Sequence, residues 1–142
     1  MTASAAPLLS VRDLRIVFDG RRGPLTALDG VSFDIQPGEI LGMVGESGAG
    51  KSLTGTAVIG LLDPPGRIAG GEIRLEGQRI DNLPAEKMRR LRGRRIGAIF
   101  QDPLTSLNPV HTIGDQLVET ITTHLPVCRS EARWRALDLL RE

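Results

Sequence analysis

The chain has 142 residues, a formal net charge of +1, 40% hydrophobic and 25% charged residues; that length suits one core and falls short of two full domains. A near-neutral balance with 3% aromatic residues gives no general attraction to nucleic acid and few rings to stack on it. The single cysteine, Cys128, is read as a passive residue; it excludes an intramolecular disulfide and a cysteine-cluster metal site, and a reducing compartment is its natural setting.

The opening MTASAAPLLSVRD lacks a basic n-region, and its apolar stretch breaks at Arg12 and Asp13, so it does not read as a secretory signal. The best uncharged apolar run, Ser52 to Leu62, is too short to cross a bilayer, and any membrane role is expected to come through a partner. Leu14, Ile16 and Phe18 alternate, as do Val31, Phe33 and Ile35, which predicts short strands separated by turns at Asp19-Gly20, Asp29-Gly30 and Pro37-Gly38. Glu39 to Val44 is nearly continuous in apolar residues, the pattern of a strand covered on both faces. A helix is expected from Lys51 to Leu62, ended by Pro64-Pro65, and Gly71 to Gly77 alternates as a further strand.

The basic stretch Glu86 to Arg95, preceded by Pro84 at a helix start, reads either as a solvated helix face or as a patch for acidic lipid or nucleotide. Ile96 to Phe100 is a second candidate for a buried strand. Ile113, Leu117, Val118, Ile121 and Leu125 share one helical face. A last helix is expected to open with Ser130 as N-cap and to group Ala132, Ala136, Leu139 and Leu140. His111 and His124 are read as loop and helix-surface residues. The helical pattern still runs at Glu142, which raises the expectation of a cut through a larger domain.

Sixteen of the cations are Arg and two are Lys, so a lysine inside a glycine-rich loop stands out. Gly45-Glu46-Ser47-Gly48-Ala49-Gly50-Lys51-Ser52 fits G-x-x-x-x-G-K-[ST] between an apolar run and a predicted helix. Gly45, Gly48 and Gly50 let the backbone curl so that successive N–H groups face phosphate oxygens, and the following helix adds its positive end. Lys51 can reach the β- and γ-phosphates, and Ser52 offers a hydroxyl to Mg²⁺. Glu46, Ser47 and Ala49 act through backbone, and the phosphate-binding stretch extends through Leu53.

Gln101-Asp-Pro-Leu-Thr-Ser-Leu-Asn-Pro-Val110 resembles the Q-loop of ABC transporter ATPases, in the form found in ATP-binding subunits of oligopeptide, dipeptide and nickel importers, and GESGAGKS resembles the Walker A of the same family. The likeness covers the chain from Leu9 onward. It implies an α/β fold: the P-loop NTPase core of an ABC ATPase with an N-terminal antiparallel β subdomain, truncated before the signature and the Walker B strand. Residues 1–142 would be the first part of one nucleotide-binding domain, with 8–36 its antiparallel β portion, 39–62 the Walker A strand, loop and helix, 95–112 a strand and the Q-loop, and 113–142 the start of a helical subdomain.

The same resemblance implies ATP and Mg²⁺ as ligands and gives Lys51 and Gln101 the catalytic roles. Gln101, with Ser52, would contact Mg²⁺, and Gln101 would also hold the attacking water. Phe18 would stack on adenine. The implied partners are a second ATPase subunit arranged head to tail and transmembrane permease subunits facing the loop from Asp102 to about His111, at the cytoplasmic face of the inner membrane. Peptide is the cargo the resemblance implies first, with nickel or another small solute behind it. An LSGGQ-type signature, an apolar strand ending Asp-Glu and a switch histidine are not in these 142 residues, so the chain alone is expected not to hydrolyse ATP at a useful rate and to be poorly stable in isolation. Two alternatives stay open: a small P-loop kinase or GTPase with Asp102 as its Mg²⁺ ligand, and an inert nucleotide-binding fragment.

Overall fold

Three long strands run where alternation and turn residues place them. β1 (Leu9–Gly20) and β2 (Gly23–Ile35) form a hairpin closed by Gly20 opposite Gly23, and β3 (Gly66–Leu75) pairs antiparallel with the other edge of β1. A short β4 (Gln78–Arg79) completes the order β2-β1-β3-β4. The computed structural model describes residues 6–100 and 106–141. They fall into two units that divide between Arg89 and Arg90.

In the first unit the core gathers on β1. Val11, Leu14 and Ile16, with Ile73 of β3, are the largest fully buried side chains, and Val17 joins them. Strict alternation would bury Leu14, Ile16 and Phe18 together, but Phe18 is only half-buried. The pairing of β1 with β2 is irregular at three places, and at the last, between Ile16 and Val17, two consecutive residues are buried where alternation would bury one. Val11 pairs with Phe33 and Leu14 with Val31, so β1 carries one residue more than β2 across that interval. Asp13 lies there at φ 45°, its side chain and backbone bound to the Ser32 hydroxyl. Asp29-Gly30, expected to be a turn between strands, is instead an irregularity within the thirteen residues of β2, with Gly30 at φ 76°.

Two expected strands are not formed. Residues 39–44 and 97–100 lie outside any strand, with Ile40 and Val44 96% and 94% exposed and Ile99 fully so. A run apolar on both faces becomes a strand when neighbours complete its ladder on each side. Among the described residues, the strands of the sheet pair only with one another.

Helix α1 (Lys51–Val58) is shorter than its expected end at Leu62. Gly60 takes φ 66°, its N–H bonding to the Ala57 carbonyl while Leu61 N–H returns to Thr56, the paired closure a left-handed glycine permits. This stops the helix before the double proline is reached. α2 (Ala85–Leu91) places Met88 against Gly60.

The second unit contains α3 (Ile113–His124) and α4 (Arg129–Leu139), packed through Val118, Ala132 and Ala136. Thr112 caps α3, its Oγ1 accepting from Asp115 N–H at 3.1 Å and donating to the Asp115 carboxylate at 2.7 Å. Arg129 reaches the same carboxylate at 2.8 Å. The Gln116 amide braces the preceding loop, accepting from Asn108 N–H and donating to the Asn108 and His111 carbonyls. The N-cap of α4 is Cys128, not Ser130, because the helix begins one residue before that serine; Cys128 Sγ lies 3.1 Å from Ser130 Oγ, and this contact and backbone N–H groups hold its thiol pKa below the usual range. Leu139 and Leu140 stay exposed. His124, expected on a helix surface, is half-buried, its ring filling the space above Gly93.

Gly71, at φ 83°, faces the Asp13 bulge, and a methyl group there would overlap the Arg12 and Asp13 carbonyl oxygens. Gly71→Ala is expected to destabilise the sheet by about 2 kcal/mol or more in urea unfolding, through backbone strain together with the overlap. The Thr112 hydroxyl, then Arg129, hold the Asp115 carboxyl below the ordinary range. A depressed folded pKa stabilises above the unfolded value and is lost as pH falls through the folded one. Carboxyl NMR titration is expected to place Asp115 below a model aspartate, with Thr112→Ala returning it upward.

Candidate functional site

The loop from Gly45 to Ser52 leads into α1, and two of its glycines take left-handed backbone. Gly48 and Gly50 both lie at φ 84°, a conformation costly for any residue with a Cβ. Ala49 N–H bonds back to the Glu46 carbonyl at 3.2 Å, which tightens the turn. Lys51 folds its ammonium into the loop, donating to the Gly45 carbonyl at 2.7 Å and the Glu46 carbonyl at 2.6 Å. The one positive charge of the segment therefore sits in the concavity that the backbone encloses.

Gly50 is the N-cap of α1 and supplies no side-chain acceptor. The helix ladder starts with Thr54 N–H on the Gly50 carbonyl, so the N–H groups of Lys51, Ser52 and Leu53 are first-turn donors that precede it. The first turn has no acidic residue, and Ser52 is exposed with its hydroxyl available. Backbone donors at a helix N-terminus, a lysine and a serine hydroxyl make a donor set suited to a chelated polyphosphate and its cation. The residues present fit a nucleoside triphosphate with Mg²⁺.

Phe18 lies near the far end of β1, opposite Leu25 on one side and Gly66 on the other. A methyl group at Gly66 would come within 2.8 Å of the Phe18 ring, so the glycine leaves room for that ring. Phe18 and the loop belong to the same unit. Gln101 and Asp102 lie outside the described residues.

Two residues about the loop escape sequence reasoning. Thr54, 3% exposed, donates its hydroxyl to the Gly50 carbonyl at 3.0 Å. Its position four residues after the last loop glycine is the only available signal. Leu28 packs its side chain on Gly50 from β2. That contact joins segments far apart in sequence and has no periodic signature.

The family model described as ABC transporter matches residues 28–142. The chain belongs to the ABC transporter family. It is 46% identical over 136 residues to the oligopeptide transport ATP-binding protein OppD of Mycobacterium bovis, covering 95% of this chain and 22% of that protein. It is 47% identical over 135 residues to a probable peptide ABC transporter ATP-binding protein, y4tR, of Sinorhizobium fredii, and 41% identical over 135 residues to the dipeptide transport ATP-binding protein DppD of Escherichia coli. Those alignments cover 94% and 95% of this chain and 40% and 41% of the relatives. The chain thus spans about two-fifths or less of these curated relatives.

Among solved structures, the dimeric cassette MJ0796 in a post-hydrolysis state bound to ADP and Pi aligns with a TM-score of 0.79 at 22% identity, over 94% of this chain and 56% of that one. At that identity the likeness establishes the ABC cassette fold. The glycine-rich loop falls inside the stretch matched to the ABC transporter family. Among the described residues, no helix of this ABC chain is long and apolar enough to cross a membrane.

Proposed function

We propose that the chain binds ATP with Mg²⁺ at the loop of residues 45–53 and forms part of the energy-coupling subunit of a peptide importer. The observation that carries this reading is the loop geometry. Two left-handed glycines open the first-turn amides of α1, and Lys51 Nζ already lies against the Gly45 and Glu46 carbonyls. ATP with Mg²⁺ is the nucleotide of ABC ATPases, and the names of the relatives support peptide as the cargo.

In this reading the amides of Gly45 to Leu53 bind phosphate oxygens, and Lys51 moves from carbonyl oxygens to β- and γ-phosphate oxygens, acceptors of higher charge. Ser52 Oγ is a Mg²⁺ ligand. Phe18, held beside Gly66 with part of its ring exposed, offers a stacking surface to adenine. Gln101 has the chemistry to face both metal and water, since an amide accepts from one group and donates to another.

Hydrolysis is assigned to a head-to-tail pair of full subunits and not to these 142 residues alone, which contain neither an LSGGQ-type sequence nor an apolar strand ending Asp-Glu. Membrane subunits would meet the loop from Asp102 to His111 at the cytoplasmic face. Its described part supports that role: Leu107 and Val110 are exposed, and Gln116 fixes the backbone between them.

Calorimetric titration with Mg²⁺-ATP tests the reading. Lys51→Ala is expected to weaken affinity by roughly tenfold or more, because a charge-assisted contact to phosphate is lost; unchanged affinity would place the nucleotide elsewhere. Gln101→Ala is expected to reduce the gain in ATP affinity that Mg²⁺ brings, while Asp102→Asn leaves that gain in place. The reverse pattern would favour a small kinase or GTPase with Asp102 on the metal.

A further inference from the structure

β2 runs for thirteen residues, and only one of them, Leu28, is buried. The register against β1 explains why. Val17 pairs with Thr26 and Ile16 with Leu28, which leaves Ala27 as an extra residue on β2; Leu14 then pairs with Val31, which leaves a second extra residue between Leu28 and Val31. Leu28 is therefore bracketed by two bulges on its own strand, and bulges bend a strand and re-aim the side chains beside them.

The side chain goes to the phosphate loop. A Cβ built on Gly50 would overlap Leu28 Cδ2 and lie 3.4 Å from Leu28 Cγ, with the Ala27 carbonyl 3.8 Å away. Gly50 is the residue at which the loop becomes helix, at φ 84° and ψ 7°. Its carbonyl accepts both Thr54 N–H at 2.9 Å and Thr54 Oγ1 at 3.0 Å. The peptide is thus gripped by hydrogen bonds from the helix and backed by the leucine from the sheet.

We propose that Leu28 is a positioning residue for phosphate binding: the doubly bulged β2 delivers its side chain against Gly50 and so restricts the hinge between the phosphate loop and α1. The inference rests on the nucleotide-binding reading and adds a residue from outside the motif. Three glycines in six residues give the loop large backbone freedom, and the amides can converge on phosphate oxygens only if that freedom is limited. Leu28 limits it by occupying the volume into which Gly50 would swing. Leu28 lies opposite Ile16, two residues before Phe18 on β1, so the same packing ties the strand that carries the ring to the loop that faces the phosphates.

The test separates positioning from ordinary core packing. Leu28→Val and Ile73→Val each remove one methylene from a buried site, and only the first touches the loop. Mg²⁺-ATP affinity of the full chain, read well below the melting temperature, is expected to fall roughly fivefold or more in Leu28→Val, since small misplacements of binding groups carry large penalties. It should stay within about twofold of the parent in Ile73→Val, and Leu28→Met, which restores reach, should recover most of the loss. Amide hydrogen exchange across residues 46–54, measured without nucleotide, should be faster in Leu28→Val than in Ile73→Val. Equal affinities or equal exchange in the two valine variants would overturn the proposal. A parent chain that does not saturate with Mg²⁺-ATP would overturn the nucleotide reading instead, and the exchange comparison would still decide the role of Leu28.

Discussion

β1 is hydrogen-bonded along both edges, to β2 on one side and β3 on the other, and the first unit is organised around that double pairing. Its backbone groups are satisfied laterally, so its apolar side chains can be withdrawn from water completely, as Val11, Leu14 and Ile16 are. The candidate site is linked to that strand directly at Phe18 and through Leu28 at the loop. Phe18 is on it, and Leu28 is paired to it and rests on Gly50. The glycine-rich loop is thus backed, through Leu28, by the strand that is paired on both edges.

How much of this was legible in the sequence depended on whether the cause was local. The glycine-rich loop is visible as a motif because its residues are consecutive: the glycines, Lys51 and Ser52 lie within a single turn of chain, and their spacing records a local geometry, with Gly48 and Gly50 left-handed. The β1–β2 hairpin was legible for a similar reason, its turn and alternation being short-range properties. The bulges were not. A register shift at Asp13 or Ala27 looks like any other place in a row of residues, yet it interrupts regular alternation, and Val17 is buried beside Ile16 while Phe18 is only half-buried. The close of α1 is hidden for a different reason: Pro64-Pro65 is a strong stop signal and a lone Gly60 a weak one, yet the glycine comes first along the chain and ends the helix.

The runs at 39–44 and 97–100 show the other limit. Their composition records an environment, apolar on both faces, and an environment is a statement about neighbours. A helix supplies its own hydrogen-bond partners, so α1 forms from residues that directly follow the loop. A strand supplies none, and without a ladder on either side the same Ile40, Val44 and Ile99 lie open to solvent. Both apolar runs lie within the stretch matched to the ABC transporter family.

The contact between Gly93 and His124 has a consequence for sequence change. The imidazole occupies the space that a side chain at position 93 would need, and Gly93 itself sits at φ 79°. The two positions draw on one allotment of volume across a turn and a helix end. A methyl group at 93 would need the imidazole to move aside or be reduced, and a left-handed backbone to be tolerated by a residue with a Cβ. The two substitutions are therefore coupled: a side chain at 93 requires the imidazole at 124 to move aside or be reduced, whereas a change at 124 asks nothing of the glycine.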